Sequence, residues 1–125
     1  MATIDYNGIM GDNLIRVFSE RDPAKRMIAI RELYSDDAVL YEPEGHAKGG
    51  PSICEAVTSL LASLPREFVF TQIGPAQGHH GVARLRWRVG PLGGPTAASG
   101  TDVAQFEANR IQSLHVFLDP VPSKD

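Results

Sequence analysis

The chain has a single cysteine, Cys54, among 125 residues. No internal disulfide can form, and a lone thiol fits a reducing cytoplasm, which is the expected compartment. An excess of positive charge is also missing. The 12 Lys and Arg face 15 Asp and Glu, for a net charge of −3 at pH 7. That balance gives no electrostatic reason to expect nucleic acid or an anionic membrane as partner. The longest apolar runs fall far short of the roughly 20 residues a membrane-spanning helix needs. Met1-Ala2-Thr3-Ile4-Asp5 carries no basic region followed by an apolar stretch, so no signal peptide is expected. A Gly-x-Ser-x-Gly elbow, a phosphate loop and a dinucleotide fingerprint are all missing, so neither a covalent serine nucleophile nor a nucleotide cofactor is expected. No repeat, linker or low-complexity segment interrupts the chain.

Apolar residues make up 42 % and charged residues 22 %, as in ordinary globular proteins. One domain over residues 1–125 is expected, large enough for a core without staples. Helical spacing dominates the first half. Met10, Leu14, Val17 and Phe18 give an apolar face to a helix from about Asn7 to Ser19. Asp22-Pro23 reads as an N-cap with proline at the first helical position, followed by the stripe Met27, Ile30, Leu33 and Tyr34. Ala38 to Glu42 is a short strand leading into a glycine-rich loop. Gly50-Pro51 opens a third helix with the stripe Ile53, Val57, Leu60, Leu61 and Leu64, and Pro65 stops it. The period then changes. Glu67 to Ile73, Val82 to Val89, Ala98 to Glu107 and Arg110 to Leu118 read as strands, joined by turns at Gly78-His79-His80-Gly81, Pro91 to Pro95 and Ala108-Asn109. The tail after Asp119 is expected to fray.

Helices first and an antiparallel meander after them predict an α+β fold: three helices packed on one face of a curved, mainly antiparallel sheet, enclosing a conical cavity. Strand parity sorts the side chains. Ala83, Leu85, Trp87 and Val89 share one face, and Arg84, Arg86 and Arg88 the other, so Trp87 faces the helices. On the next strand Asp102, Ala104 and Phe106 share a face, and a bulky inward Phe106 carries Asp102 inward with it. Glu42 ends an apolar strand. It either faces water beside a proline turn or sits in the pocket, where desolvation makes it a usable base.

The run Tyr34-Ser35-Asp36-Asp37-Ala38-Val39 leading to Glu42-Pro43, the Gly49-Gly50-Pro51 helix start and the late Gly100-Thr101-Asp102 resemble the nuclear transport factor 2-like superfamily. Within it, the chain looks like the SnoaL-like polyketide cyclases and the ketosteroid isomerases. The resemblance covers nearly the whole chain in element order. It implies a catalytic carboxylate just before the strand-end proline, matched by Glu42 with one extra methylene, and a protonated acid on the third sheet strand, matched by Asp102. Leu14 stands where those isomerases carry a first-helix tyrosine, and Tyr34 falls where some carry a supporting one. Trp87, Phe106, Leu14, Tyr34, Leu40 and Leu118 are the candidate substrate contacts. Leu40, Trp87, Phe106 and an ionised Asp102 are all expected to raise the pKa of Glu42.

The expected function is therefore cofactor-independent isomerisation or cyclisation of a small, largely apolar carbonyl compound through an enolate. Two readings compete with it: a non-catalytic ligand-binding or protein-interaction module, and a hydrolase resembling limonene epoxide hydrolase, which would need an arginine in the cavity. His46 lacks the convergent partners of a metal site, and no metal is expected. His79 and His80 are read as solvent-exposed turn residues, His115 as a surface or interface residue, and Cys54 as a packed thiol. A homodimer through the outer sheet face, which carries Phe117, Val103, Gln105 and the arginines, is expected.

Overall fold

The computed structural model describes residues 3–120. The elements follow the sequence periods. Helix α1 is Tyr6–Asp12, capped by the Asp5 carboxylate, which accepts from Gly8 N at 3.0 Å. The same helical rod continues as a π-helical segment, Asn13–Phe18, in which Ser19 N donates to Leu14 O five residues back. The expected apolar face is all interior: Met10, Leu14, Val17 and Phe18 are buried. The wider turn differs from the regular α-helix expected, and it also places the polar Asn13 inside.

Helix α2, Pro23–Leu33, begins as its sequence requires, with Asp22 accepting from Ala24 N at 2.9 Å and Pro23 in the first turn. Its Arg26 is buried, and among the described residues it has no carboxylate partner. Backbone oxygens of Glu20 and Cys54 and the Thr58 hydroxyl accept its donors. Helix α3, Gly50–Ala62, buries Ile53, Val57 and Leu61, the heart of the expected stripe. Among the described residues no helix is long and apolar enough to cross a membrane.

Six strands form one sheet: β1 Tyr34–Glu42, β2 Gly45–Lys48, β3 Phe68–His79, β4 Val82–Pro91, β5 Ala98–Glu107 and β6 Arg110–Leu118. Their order is β2-β1-β6-β5-β4-β3. Every neighbouring pair is antiparallel except β1 with β6, which run parallel with Leu40 opposite Leu114. The strand ending at Glu42 thus pairs on both edges, as its buried backbone groups demand. The fold is α+β, three helices against a curved, mostly antiparallel sheet.

Four boundaries differ from expectation. Tyr34 is the first strand residue rather than the last of a helical stripe. Its backbone is already extended, which turns the side chain toward Asn13. β2 arises from Gly45-His46-Ala47-Lys48, a run with no strand pattern of its own, because β1 offers it a free edge. β3 runs on to His79 across a register shift between Ile73 and Gln77. Pro75 argues against a regular strand there, and the shift absorbs it. Asp119, read as the start of the frayed tail, is tied to β5: Asp119 N donates to Ser99 O and Ser99 Oγ donates to Asp119 Oδ2. Residues 121–125 of that tail lie outside the described residues.

Gly100 fixes how the sheet meets the cavity. It is the cross-strand partner of Trp87, and a Cβ there would lie 2.2 Å from Phe117 O and 2.5 Å from the indole ring. Gly100→Ala should therefore cost roughly 1–3 kcal/mol through overpacking and push the indole aside. Denaturant melts would measure the loss. Emission from Trp87, the one tryptophan, would change even in folded protein. Wild-type stability with unchanged emission would show that the contact is slack.

Candidate active site

Between the helices and the sheet lies a cavity of about 240 Å³. The π-helical segment gives it Leu14 and Phe18, α3 gives Leu60, and β3 to β6 give Phe70, Trp87, Asp102 and Val116. Glu42 and Pro43 close it at the end of β1, with Leu118 beside them. The wall is apolar apart from two carboxyl groups.

Asp102 is 3 % exposed. Its place follows from register. Trp87 sits opposite Gly100, so Asp102 is the diagonal neighbour, within reach of a long aromatic side chain. With no side chain on Gly100, the indole lies across it and donates Nε1–H to Asp102 Oδ1 at 2.9 Å. Burial raises the Asp102 pKa to about 7, and the bond from Trp87, which favours the anion, offsets part of that rise. Asp102 is thus a carboxylic acid that holds its proton nearly to neutrality.

Glu42 is half-buried, and its pKa is raised by burial. The expected repulsion from Asp102 is not a cause. The charge of Asp102 acts instead on Tyr34, whose pKa is raised first by burial and second by that charge. Burial acts less on half-exposed Glu42 than on Asp102.

Of the candidate residues, Glu42, Asp102, Trp87, Leu14 and Leu118 line the cavity. Tyr34, Leu40 and Phe106 do not. Tyr34 points its hydroxyl at Asn13 Oδ1, 2.5 Å away. Leu40 is fully buried in the core. Phe106 follows a register shift between Gln105 and Phe106 and packs edge-on against Tyr6 with ring centroids 5.2 Å apart. Phe106 keeps the helix-facing side that parity gives it, against Tyr6 of α1, but it lies further along β5 than Asp102, beyond the end of the cavity. Asn13 was missed altogether. It is buried, and its Nδ2 has no hydrogen-bond partner among the described residues. Nothing in a helical pattern singles out such a residue. The lining side chains Val89, Val116, Leu60 and Leu64 do follow from parity and helical spacing.

The arginines lie on the other sheet face. Arg84 donates to Gln77 Oε1 and Arg86 approaches Asp119 at 3.7 Å. On that face His115 stacks on Tyr41 at 4.5 Å, with His46 flanking at 6.2 Å. Cys54 is buried beside Arg26. Among the described residues no three of His, Cys, Asp and Glu converge as metal ligands would.

Solved structures share this architecture. A proposed isomerase of the SnoaL-like family from Agrobacterium tumefaciens superposes with a TM-score of 0.84 at 23% identity, covering 92% of this chain and 97% of the other. A proposed polyketide cyclase from Sinorhizobium meliloti gives 0.69 at 17% identity, with coverage of 93% and 99%. A proposed ketosteroid isomerase from Kribbella flavida gives 0.71 at 9% identity, with coverage of 96% and 82%. These likenesses establish the fold. Among curated proteins, none matches the chain. The SnoaL-like domain family matches residues 12–114, a span that runs from the end of α1 into β6 and includes Leu14, Glu42, Trp87 and Asp102. The chain belongs to the SnoaL-like domain family.

Proposed function

We propose that this protein is a cofactor-independent isomerase or cyclase that acts on a small, largely apolar carbonyl compound through an enolate. The observation that carries the reading is the presence, on one apolar cavity, of two carboxyl groups in different surroundings. Near neutral pH, ionised Glu42 is the base and protonated Asp102 the hydrogen-bond donor. Glu42 takes a proton from the carbon alpha to the carbonyl. The C–H electron pair forms the enolate double bond, and charge develops on the carbonyl oxygen. Trp87 occupies Asp102 Oδ1, which leaves Oδ2 for the proton that this oxygen needs. Return of the proton from Glu42 to a different carbon shifts a double bond. Attack of the enolate carbon on a second carbonyl closes a ring: the π pair of that carbonyl moves to its oxygen, which takes back the proton held by Glu42.

A binding-only role has one observation in its favour: Leu14, not a hydroxyl donor, faces the cavity from the first helix. It predicts ligand binding without proton exchange. The epoxide hydrolase reading loses its arginine, since Arg84 and Arg86 are exposed on the far face. The reading includes the cytoplasm as compartment, supported by the free, buried Cys54.

Exchange of alpha hydrogens for deuterium in a bicyclic ketone reads the first step directly. Glu42→Gln should lower its rate by about 10²–10⁴-fold. Asp102→Asn, which keeps a donor, should be milder than Asp102→Ala. The rate should rise as Glu42 ionises and fall above about pH 7 as Asp102 loses its proton. A ligand that binds but shows no exchange at any pH sinks the enzyme and leaves the binding module.

The protonated state of Asp102 has its own signature in stability. Its folded pKa of about 7 lies above the ordinary 3.8. The contribution to stability is therefore full below the unfolded value and is lost as pH rises through 7. Asp102→Asn retains an acceptor for Trp87 and removes the charge. It should match wild type near pH 4 and exceed it by on the order of 3–4 kcal/mol at about pH 8.5. Urea titrations at the two pH values test this, and an equal difference at both would place the proton elsewhere.

The proposal includes a homodimer through the outer sheet face. Phe117 there is 56 % exposed and neighbours the stacked Tyr41 and His115. Sedimentation should give twice the monomer mass, and Phe117→Lys should shift it toward monomer. A wild-type monomer at micromolar concentration counts against the dimer and leaves the catalytic reading intact.

A further inference from the structure

The cavity does not end at Glu42. An open groove of about 500 Å³ begins there, lined by Glu44, Ala47 and Ala56 among others, and it shares Glu42, Pro43 and Leu118 with the inner cavity. Its form follows from the local sequence. The β1–β2 hairpin carries Glu44 at its turn, exposed. Ala47 on β2 and Ala56 on α3 are small enough to leave the space between strand and helix unfilled. Leu118, 59 % exposed, borders both spaces.

Size and charge limit what the two spaces hold. A dry cavity of about 150 Å³ takes one benzene ring. The inner cavity of about 240 Å³ therefore suits a body of one substituted ring or two fused rings, and a rigid four-ring body does not fit within it. Anything longer must leave past Glu42 into the groove. There the charged groups are Glu42 and Glu44. Among the described residues no lysine or arginine lines the groove, and His46 is its only other titratable residue. An anionic tail would meet carboxylates without a cation, whereas hydroxyl and ammonium groups would find acceptors.

We infer that the groove is a second subsite, which takes a hydrogen-bond-donating tail, hydroxyl or ammonium, of the molecule whose apolar ring body fills the inner cavity. This rests on the reading of that cavity as a substrate site. It sets the substrate class: a one- or two-ring ketone with a short donor-ended chain, its reacting carbon held beside Glu42 at the junction. Carboxylate- and phosphate-ended molecules of the same length are discriminated against.

Calorimetric titration of the full chain with three ligand sets tests it: a bare bicyclic ketone, the same ketone with a four-carbon tail ending in hydroxyl or ammonium, and the same tail ending in carboxylate. Partial burial of the tail should make the donor-ended ligands roughly tenfold tighter than the bare ketone, and the carboxylate should gain less. Glu44→Lys lies in an exposed turn and should reverse the preference between ammonium and carboxylate, by about fivefold in each direction. Ala56→Trp should bring the ratio of tailed to bare affinity close to one. A bare ketone that binds while tails add nothing, or tails whose gain ignores both charge and Glu44→Lys, overturns the subsite and leaves the cavity reading standing. No binding of the bare ketone removes both.

Discussion

Asp102 lies 3 % exposed among apolar side chains, and the indole N–H of Trp87 is its side-chain partner. A buried carboxyl without a charge partner is tolerable chiefly as the neutral acid, because the anion loses its hydration. The chemistry of the cavity depends on this one constraint. It fixes Asp102 as a proton holder near neutrality, while burial acts less on Glu42 at the half-exposed rim. The constraint depends in turn on Gly100. Without a vacancy opposite Trp87 the indole could not lie flat enough to reach the diagonal position. Three residues of one strand pair thus set the polarity of the inner wall, whose other side chains, apart from Glu42 at the mouth, are apolar.

A second buried polar contact lies behind the cavity. Tyr34 donates to Asn13 Oδ1, and the charge that Asp102 carries when ionised holds the phenol further from ionisation. Tyr34 therefore stays a neutral donor over the whole range in which Asp102 titrates. Its hydroxyl is used on Asn13 rather than offered to the cavity. Asn13 reaches the interior because the first helix widens into a π turn, a geometry common at functional sites. The orphan Nδ2 of Asn13 and the cost of such a group show that this arrangement is not the cheapest way to fill the core.

Much of the fold was legible because it is written in two periods. The apolar stripe of α1 and its π extension, the Asp22-Pro23 start, and the strict alternation from Ala83 to Val89 each follow from one rule applied to neighbouring residues. Asp102 was legible for the same reason, as was the exile of the arginines to the outer face. What escaped depends on register and on pairing with distant segments. β2 has no pattern of its own and exists because β1 presents an edge. The register shift between β5 and β6 leaves Gln112 of β6 unpaired and the parity of β5 intact, so Phe106 faces the helices but lies too far along the strand to reach the cavity, a distance that parity alone does not report. The π turn, Asn13 and buried Arg26 are tertiary outcomes: each is a polar or irregular choice that helical spacing cannot distinguish from a solvated one.

The placement of Glu42 shows why the two acids differ although both sit on strands of one sheet. Asp102 is mid-strand, flanked by β4 and β6, and covered by the helices. Glu42 is the last residue of β1, where the sheet gives way to Pro43 and the turn into β2. Parallel pairing with β6 carries β1 to the same end of the cavity as Leu118, so the strand ends at the rim rather than in the floor. The half-exposed rim leaves Glu42 partly solvated, so burial acts less on it than on Asp102. Moving the carboxylate two residues back, to the fully buried position of Leu40, would remove that solvation and give a second neutral acid. The two carboxyl groups therefore differ by depth: one sits half-buried at the mouth, and the other lies buried on the wall, where it holds its proton to about pH 7.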